Sequence, residues 1–314
     1  MLNSILPFIV LILVVVFIHE YGHYYFAKKY GVKVTDFSIG FGKELFGWND
    51  KLGTRWKICW IPLGGYVKFF GDRNVFSQSD QEEIIKKYSE EERKKLFILK
   101  PLYQRSLIVA AGPMANFILA VVIFLFIYMF VGKDFTPAVI NEVQKDSPAE
   151  VAGLMKNDVI LEIDGTEVKS ILDVSKLIAM STSDFIDFKV LRYDQEVLLK
   201  VKPNIVEAED NLGNTINKRM IGIMLGPYNN KVNHVKLGPT KALYYSLNEV
   251  YFVTISSLKY LGSILTGSGD SSQLGGPIRI AKITGQVAEF GIVPFLSIMA
   301  YISISLGLIN LFPI

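Results

Sequence analysis

Histidines are scarce in this chain, three in 314 residues, and two of them fall in the stretch His19-Glu20-Tyr21-Gly22-His23. Residues four apart share one face of a helix, so His19 and His23 can bind a single zinc ion. Glu20 lies beside them and can take a proton from a metal-bound water, whose pKa zinc lowers to about 7. This is the chemistry of a metal-assisted hydrolase. The motif follows an unbroken apolar run, Ile5 to Ile18. An ionisable group inside a membrane costs ~2.5 kcal/mol or more and marks a functional position by default. A chance match would bear that cost for nothing. The alternative chemistry is a proton relay using the same His and Glu.

A helix must carry these residues, and Ile5 to Ala27 has the composition for it. At ~1.5 Å per residue it rises ~34 Å, enough to cross a ~30 Å hydrocarbon core. No Lys or Arg precedes the run and no small-residue cleavage site follows it, which favours a retained span over a cleaved signal peptide. Leu107 to Val131 is a second span without an ionisable side chain, and Ile292 to Ile314 is a third. Half of all residues are hydrophobic and mean hydropathy is +0.33, with the apolar residues gathered in blocks, as membrane spans require. A net charge of +3 without a basic, aromatic-rich stretch gives no reason to invoke nucleic acid. Cys59 is the only cysteine, which excludes an intrachain disulfide framework and a cysteine zinc site.

Between the first two spans, Lys28, Lys29 and Lys33 at one end and Arg93, Lys94, Lys95, Lys100 and Arg105 at the other place the loop in the cytoplasm and the N-terminus outside. Within it, Ser79 to Leu99 reads as a helix, with Ser79 and Glu82 as capping box and Glu90/Lys94 and Glu91/Lys95 as supporting pairs. Strand-like Trp56 to Ile61 before Gly64-Gly65-Tyr66-Val67-Lys68 predicts a hairpin. From about residue 132 to 228 the chain takes on soluble character. Asp164-Gly165 is a hairpin turn, and Ser147-Pro148-Ala149 starts a helix. Leu243 to Leu265 is apolar at helical spacing yet carries Asn248, Glu249 and Lys259.

These motifs are collinear with a known family. His19 to His23, Gly31, Phe37-Ser38-Ile39-Gly40-Phe41-Gly42, Ile61 to Lys68, Ala110-Ala111-Gly112-Pro113-Met114-Ala115-Asn116-Phe117, Gly275 to Ala281 and Gly307 to Pro313 together resemble the bacterial site-2 proteases, in particular the branch of the regulator of sigma-E protease. The resemblance implies an intramembrane zinc metalloprotease of the bacterial inner membrane. His19 and His23 would be metal ligands and Glu20 the catalytic base. It implies a third ligand, the Asp of a Leu-Asp-Gly motif following the stretch Asn310 to Pro313. The sequence stops at Ile314 before such a motif, so the chain is expected to be cut short of its C-terminus, with Glu249 as the only nearby substitute. The insert resembles a PDZ domain at Ser147-Pro148-Ala149, Ala152-Gly153-Leu154, Asp158-Val159-Ile160 and Ile163-Asp164-Gly165, with Asn157 where Gly is usual; Asn also tolerates positive φ. The resemblance further implies that Gly65, Tyr66 and Val67 offer an edge strand to the substrate. Expected substrates are single-pass membrane proteins, such as anti-sigma factors or remnant signal peptides, held in the lipid bilayer.

Helix arithmetic tests the reading separately. His19 lies ~12 Å from the cytoplasmic end of the first span and Asn116 ~14 Å into the second, so the two share a level. Asn116 is therefore expected beside the metal, supporting substrate or intermediate; its other role would be a bond to a neighbouring helix. Asn310 and Pro313 reach the same level if Leu243 to Leu265 lies along the interface. The expected architecture is a polytopic α-helical membrane protein with an inserted β-rich, PDZ-like domain outside the cytoplasm. Residues 1–131 form the first part of the membrane core, 132–228 the insert, and 229–314 the interfacial helix and third span. A zinc-free membrane adaptor and a proton-coupled transporter are the competing functions.

Overall fold

Burying a hydrophobic block in lipid requires that every backbone group be satisfied within the segment. Accordingly, the three apolar blocks are helices in the computed structural model, which describes residues 2–71, 88–181, 183–209, 215–227, 231–266 and 276–312. Among the described residues, three helices are long and apolar enough to cross a membrane: Ile5–Lys29, Leu102–Val131 and Ile292–Leu311. The first belongs to α1 (Leu2–Lys29), which ends on Lys28 and Lys29, where cations suit the helix dipole. Gly31, at φ +69°, turns the chain out of it.

The chain divides into two compact units, residues 1–124 with 280–314, and residues 125–279. In the first, β1 (Val34–Asn49) and β2 (Arg55–Phe69) are each long enough to pair twice. The early half of β1 pairs with the end of β2, from Val34↔Phe69 to Ile39↔Gly65, and also with its start, from Asp36↔Arg55 to Ile39↔Ile58. The late half of β1 folds back on the start of β2, Trp48 opposite Trp56. Two hairpin strands thus make four, in the order 65–69, 34–39, 55–58, 44–49. Residues 65–69 form one edge.

The expected helix from Ser79 to Leu99 is not what forms where the chain is described; Ser79 and Glu82 lie outside the described residues. Instead Ser89 and Glu92 make the capping box of a short helix, α2 (Glu90–Arg93). It stops because Lys95 N–H and Leu96 N–H bond three residues back, to Glu92 and Arg93, tightening the last turn. Leu96 is drawn into the core, 2% exposed. The second span is α3 (Leu102–Phe126), continued by a π-helical turn, Ile127–Val131.

The second unit holds β3 (Lys133–Asp134), β4 (Val139–Val143), α4 (Pro148–Val151), β5 (Val159–Ile163), β6 (Thr166–Glu167), α5 (Ile171–Met180), β7 (Ile186–Arg192) and β8 (Gln195–Val201). A hairpin of β9 (Asn204–Glu209) and β10 (Thr215–Met220) leads to β11 (Ile223–Gly226) and β12 (His234–Val235). The main sheet runs β11-β4-β5-β7-β8, so the last long strand closes on the first. Ile140, Ile160, Ile163, Val174, Phe188 and Val190 fill its core. The turn chemistry is as read: Asn157 takes φ 69°, Asp164 and Gly165 take 47° and 72°, and Ser147 caps α4 with Pro148 at its first position.

Residues Pro239–Leu265 form one helix, α6, in this same unit. Glu249 of α6 is buried and bonds Lys176 Nζ of α5 at 2.8 Å. Two helices complete the described residues, α7 (Pro277–Glu289) and α8 (Ile292–Leu311). Sequence periodicity had not singled out α7.

Candidate active site

His19 and His23 project from one face of α1, and their Nε2 atoms stand 3.3 Å apart, the ring centroids 4.9 Å. Two zinc–nitrogen bonds of about 2.0–2.1 Å at a tetrahedral angle place their nitrogens about 3.3 Å apart. The pair has the spacing of two ligands on one zinc. His19 is 8% exposed. His23 Nδ1 lies 2.8 Å from the Ile108 carbonyl of α3, an acceptor only, so Nδ1 carries the proton and Nε2 keeps its lone pair for a metal. Among the described residues no group of three or more His, Cys, Asp or Glu is placed to hold a metal. Glu249, the substitute considered from sequence, is committed to Lys176 within the other unit.

α3 can lie against the histidines because small residues line the contact. A Cβ on Gly22 would stand 2.8 Å from the Ala111 carbonyl carbon and 2.9 Å from Ala115 Cβ, and one on Gly112 would overlap the His23 ring. Asn116 is at the level of His19, as the depth arithmetic expects. It is fully buried, with its amide Nδ2 3.1 Å from His19 Nδ1. Asn116 therefore sits behind the His19 ring, not on a surface open to substrate.

The end of β2 approaches α1 through Gly65. A Cβ there would stand 2.9 Å from Val16 Cγ1, 3.1 Å from Glu20 Cγ and 2.7 Å from the Ser38 carbonyl. Beyond it the Val67 backbone amide lies near the Glu20 carboxylate. Among the described residues, 65–69 pair with β1 alone, and this edge lies towards the side chain expected to act as base. Tyr66 stacks on Phe41 and lies under Lys57 Nζ at 5.4 Å. The sheet is tied to α1 by Asp50, which accepts from Tyr24 Oη at 3.0 Å, Trp56 Nε1 at 3.1 Å, and the Leu52 and Thr54 amides at 2.8 Å. Burial pushes the Asp50 carboxyl up, but these four donors outweigh it and hold the group below its ordinary range.

From α8, Gly307 allows close approach to α3: a Cβ there would be 3.0 Å from the Pro113 carbonyl and 3.4 Å from Asn116 Cβ. Ser303 Oγ donates to the Asn116 carbonyl at 2.9 Å. Asn310 follows on the same helical face, spaced as i, i+4, i+7. Pro313 lies outside the described residues. The contributions of Ile108, Gly112 and Ser303 were missed from sequence. The available signals were Gly112-Pro113 and Ser303, anomalies inside apolar spans.

Two imidazoles at metal spacing on a helix apolar enough to span a membrane, backed by a second such helix and with Glu20 next to His19 in the chain, have the makings of a metal-dependent hydrolase site. The model of peptidase family M50 matches residues 7–314, and the chain belongs to that family. It is 39% identical over 99% of its length to "Putative zinc metalloprotease Atu1380" of Agrobacterium fabrum, covering 82% of that protein. It is 37% identical to "Putative zinc metalloprotease RC0203" of Rickettsia conorii, over 99% of this chain and 84% of that one. With "Metalloprotease MmpA" of Caulobacter vibrioides the identity is 34%, over 96% of this chain and 80% of the other. Among solved structures, the PDZ domain of an SdrC-like protein of Listeria monocytogenes is 26% identical, over 29% of this chain and 88% of that one, with a TM-score of 0.24.

Proposed function

We propose that this M50 peptidase, a zinc metalloprotease of membranes, cleaves peptide bonds within the transmembrane segments of single-pass membrane proteins. The observation that carries the reading is the unpaired edge at residues 65–69 directed at Glu20. A substrate helix has its amides bonded internally, so its cleavage requires local unwinding. An edge strand re-satisfies the freed groups by strand addition. Gly65, Tyr66 and Val67 would thereby lay the scissile bond beside Glu20 and the two histidines.

His19 and His23 would hold zinc, with the third protein ligand supplied by the Asp that the family resemblance places after Asn310 and Pro313. Zinc, when bound, polarises the scissile carbonyl and lowers the pKa of a coordinated water to about 7. Glu20 takes the proton released on attack and returns it to the leaving amine. Asn310, on the face of α8 turned to α3, is suited to contact the bound peptide. The PDZ-like domain lies outside the cytoplasm of the inner membrane and acts as docking module or size filter for substrates already trimmed there, anti-sigma factors or remnant signal peptides among them.

The test is cleavage of a single-pass model substrate by the full-length protein. Glu20→Gln should retain zinc and lose cleavage, whereas His23→Ala should lose both. Full cleavage by Glu20→Gln would remove Glu20 as base.

A further inference from the structure

One face of α3 backs both imidazoles. Ile108, Gly112 and Asn116 recur every four residues and so line up along that face. The Ile108 carbonyl fixes His23 through its Nδ1–H, and Gly112 leaves room for the ring. Pro113, next along, cannot return a hydrogen bond to the Val109 carbonyl, which loosens the backbone at this turn. For His19 the matching partner is Asn116.

The amide of Asn116 can meet His19 Nδ1 in two ways. With Nδ2 donating into Nδ1, the ring proton must sit on Nε2, pointing at His23 and closing the metal position. With the amide rotated by 180°, Oδ1 accepts from Nδ1–H and the Nε2 lone pair is free. The rotation breaks no bond of Asn116 Oδ1, which is buried with no hydrogen-bond partner among the described residues; it places Nδ2 in that position instead. The backbone is held in place regardless, by Ser303 on the Asn116 carbonyl and by Gly307 of α8 against its Cβ.

We propose that Asn116 is a positioning residue whose side-chain oxygen accepts from His19 Nδ1–H, so that α3 presets the lone pairs of both histidines before any metal arrives. The inference rests on the zinc reading above and adds a source for the ligands' tautomers. Partners of this kind typically set metal affinity by 10–100-fold.

The experiment compares full-length wild type, Asn116→Asp and Asn116→Leu by two readouts. Zinc affinity is measured by competition with a chelator, and the tautomer of His19 by nitrogen-15 resonances of histidine-labelled, metal-free protein. Asp keeps an acceptor and Leu keeps only volume. The expected order of zinc affinity is wild type close to Asp, with Leu weaker by 10–100-fold. The resonances should report Nδ1–H in wild type and Asp, and its loss in Leu. A merely structural role predicts the reverse, since a buried carboxylate is tolerated worse than Leu; wild-type zinc affinity or an unchanged tautomer in Leu would overturn the proposal. If wild type bound no zinc but the tautomer still followed residue 116, the zinc reading would fail and this one would stand.

Discussion

Gly112 is the residue whose side chain the site can least accommodate. Its missing Cβ is the space that the His23 ring fills. Gly112→Ala should therefore push the imidazole away from His19 and weaken zinc binding at least tenfold, while destabilising the helix pair by about 1–3 kcal/mol, the usual cost of overpacking. Gly53, whose added Cβ would meet nothing within 4 Å, is the control: Gly53→Ala strains its positive φ but should leave zinc affinity unchanged. Chelator competition on the two variants decides it. At this scale the legible part of the site was the motif His19 to His23, because metal chemistry requires particular side chains at a fixed period. Ile108 was illegible since its contribution is a carbonyl, which every residue has.

The elements divide along similar lines. The turns of the insert could be read residue by residue, since Asn157, Asp164 and Gly165 meet local demands on φ. The sheet of the first unit could be read only as a hairpin. Its two strands pair twice each, and that doubling depends on contacts between distant residues, for which no local pattern exists. Two predictions belong here. Val67→Pro removes the amide that faces Glu20 on the unpaired edge, where Pro is tolerated best. It should leave zinc content intact and lower cleavage more than tenfold; undiminished cleavage would exclude this edge as the substrate's strand partner. The second concerns Asp50, whose four donors lower its folded pKa from 3.8. A lowered carboxyl stabilises fully above the unfolded pKa and loses its contribution as pH falls through the folded value. The tie between sheet and α1 should thus hold from neutrality down to about pH 4 and fail only below 3.8. Tryptophan emission followed against pH, with Asp50→Asn for comparison, should place the transition there; a change near pH 6 would point to another group.

Over the molecule as a whole, composition was enough to find the three apolar helices among the described residues, because solvent acts on every residue of a span. Leu243 to Leu265, read as an interfacial helix, lies within α6, whose polar residues have local partners: Glu249 bonds Lys176, and Tyr245 lies under the ammonium groups of Lys133 and Lys169 at 5.7 and 5.3 Å. The boundary follows, since α6 groups with the insert and not with the third span. The proposed topology is tested by single cysteines. Cys59 is buried, which keeps the background low. A cysteine replacing exposed Glu167 should react with an impermeant thiol reagent in intact cells, and one replacing Glu90 should react only after lysis. The opposite pattern would put the insert in the cytoplasm.

The hydrogen bond from His23 to the Ile108 carbonyl also limits what genetics can find. Every polar partner of His19 can be erased by one codon change, so a mutational scan would score Asn116 directly. No codon erases a carbonyl. Exchange of Ile108 for Val or Leu alters packing and keeps the acceptor, and position 108 would look like ordinary core. Its importance would surface only as intolerance at Gly112 and Pro113, neither of which has a polar side-chain atom. Half of the support for the two histidines is thus stored in the path of the main chain, where a lineage can drift in side chains without losing it.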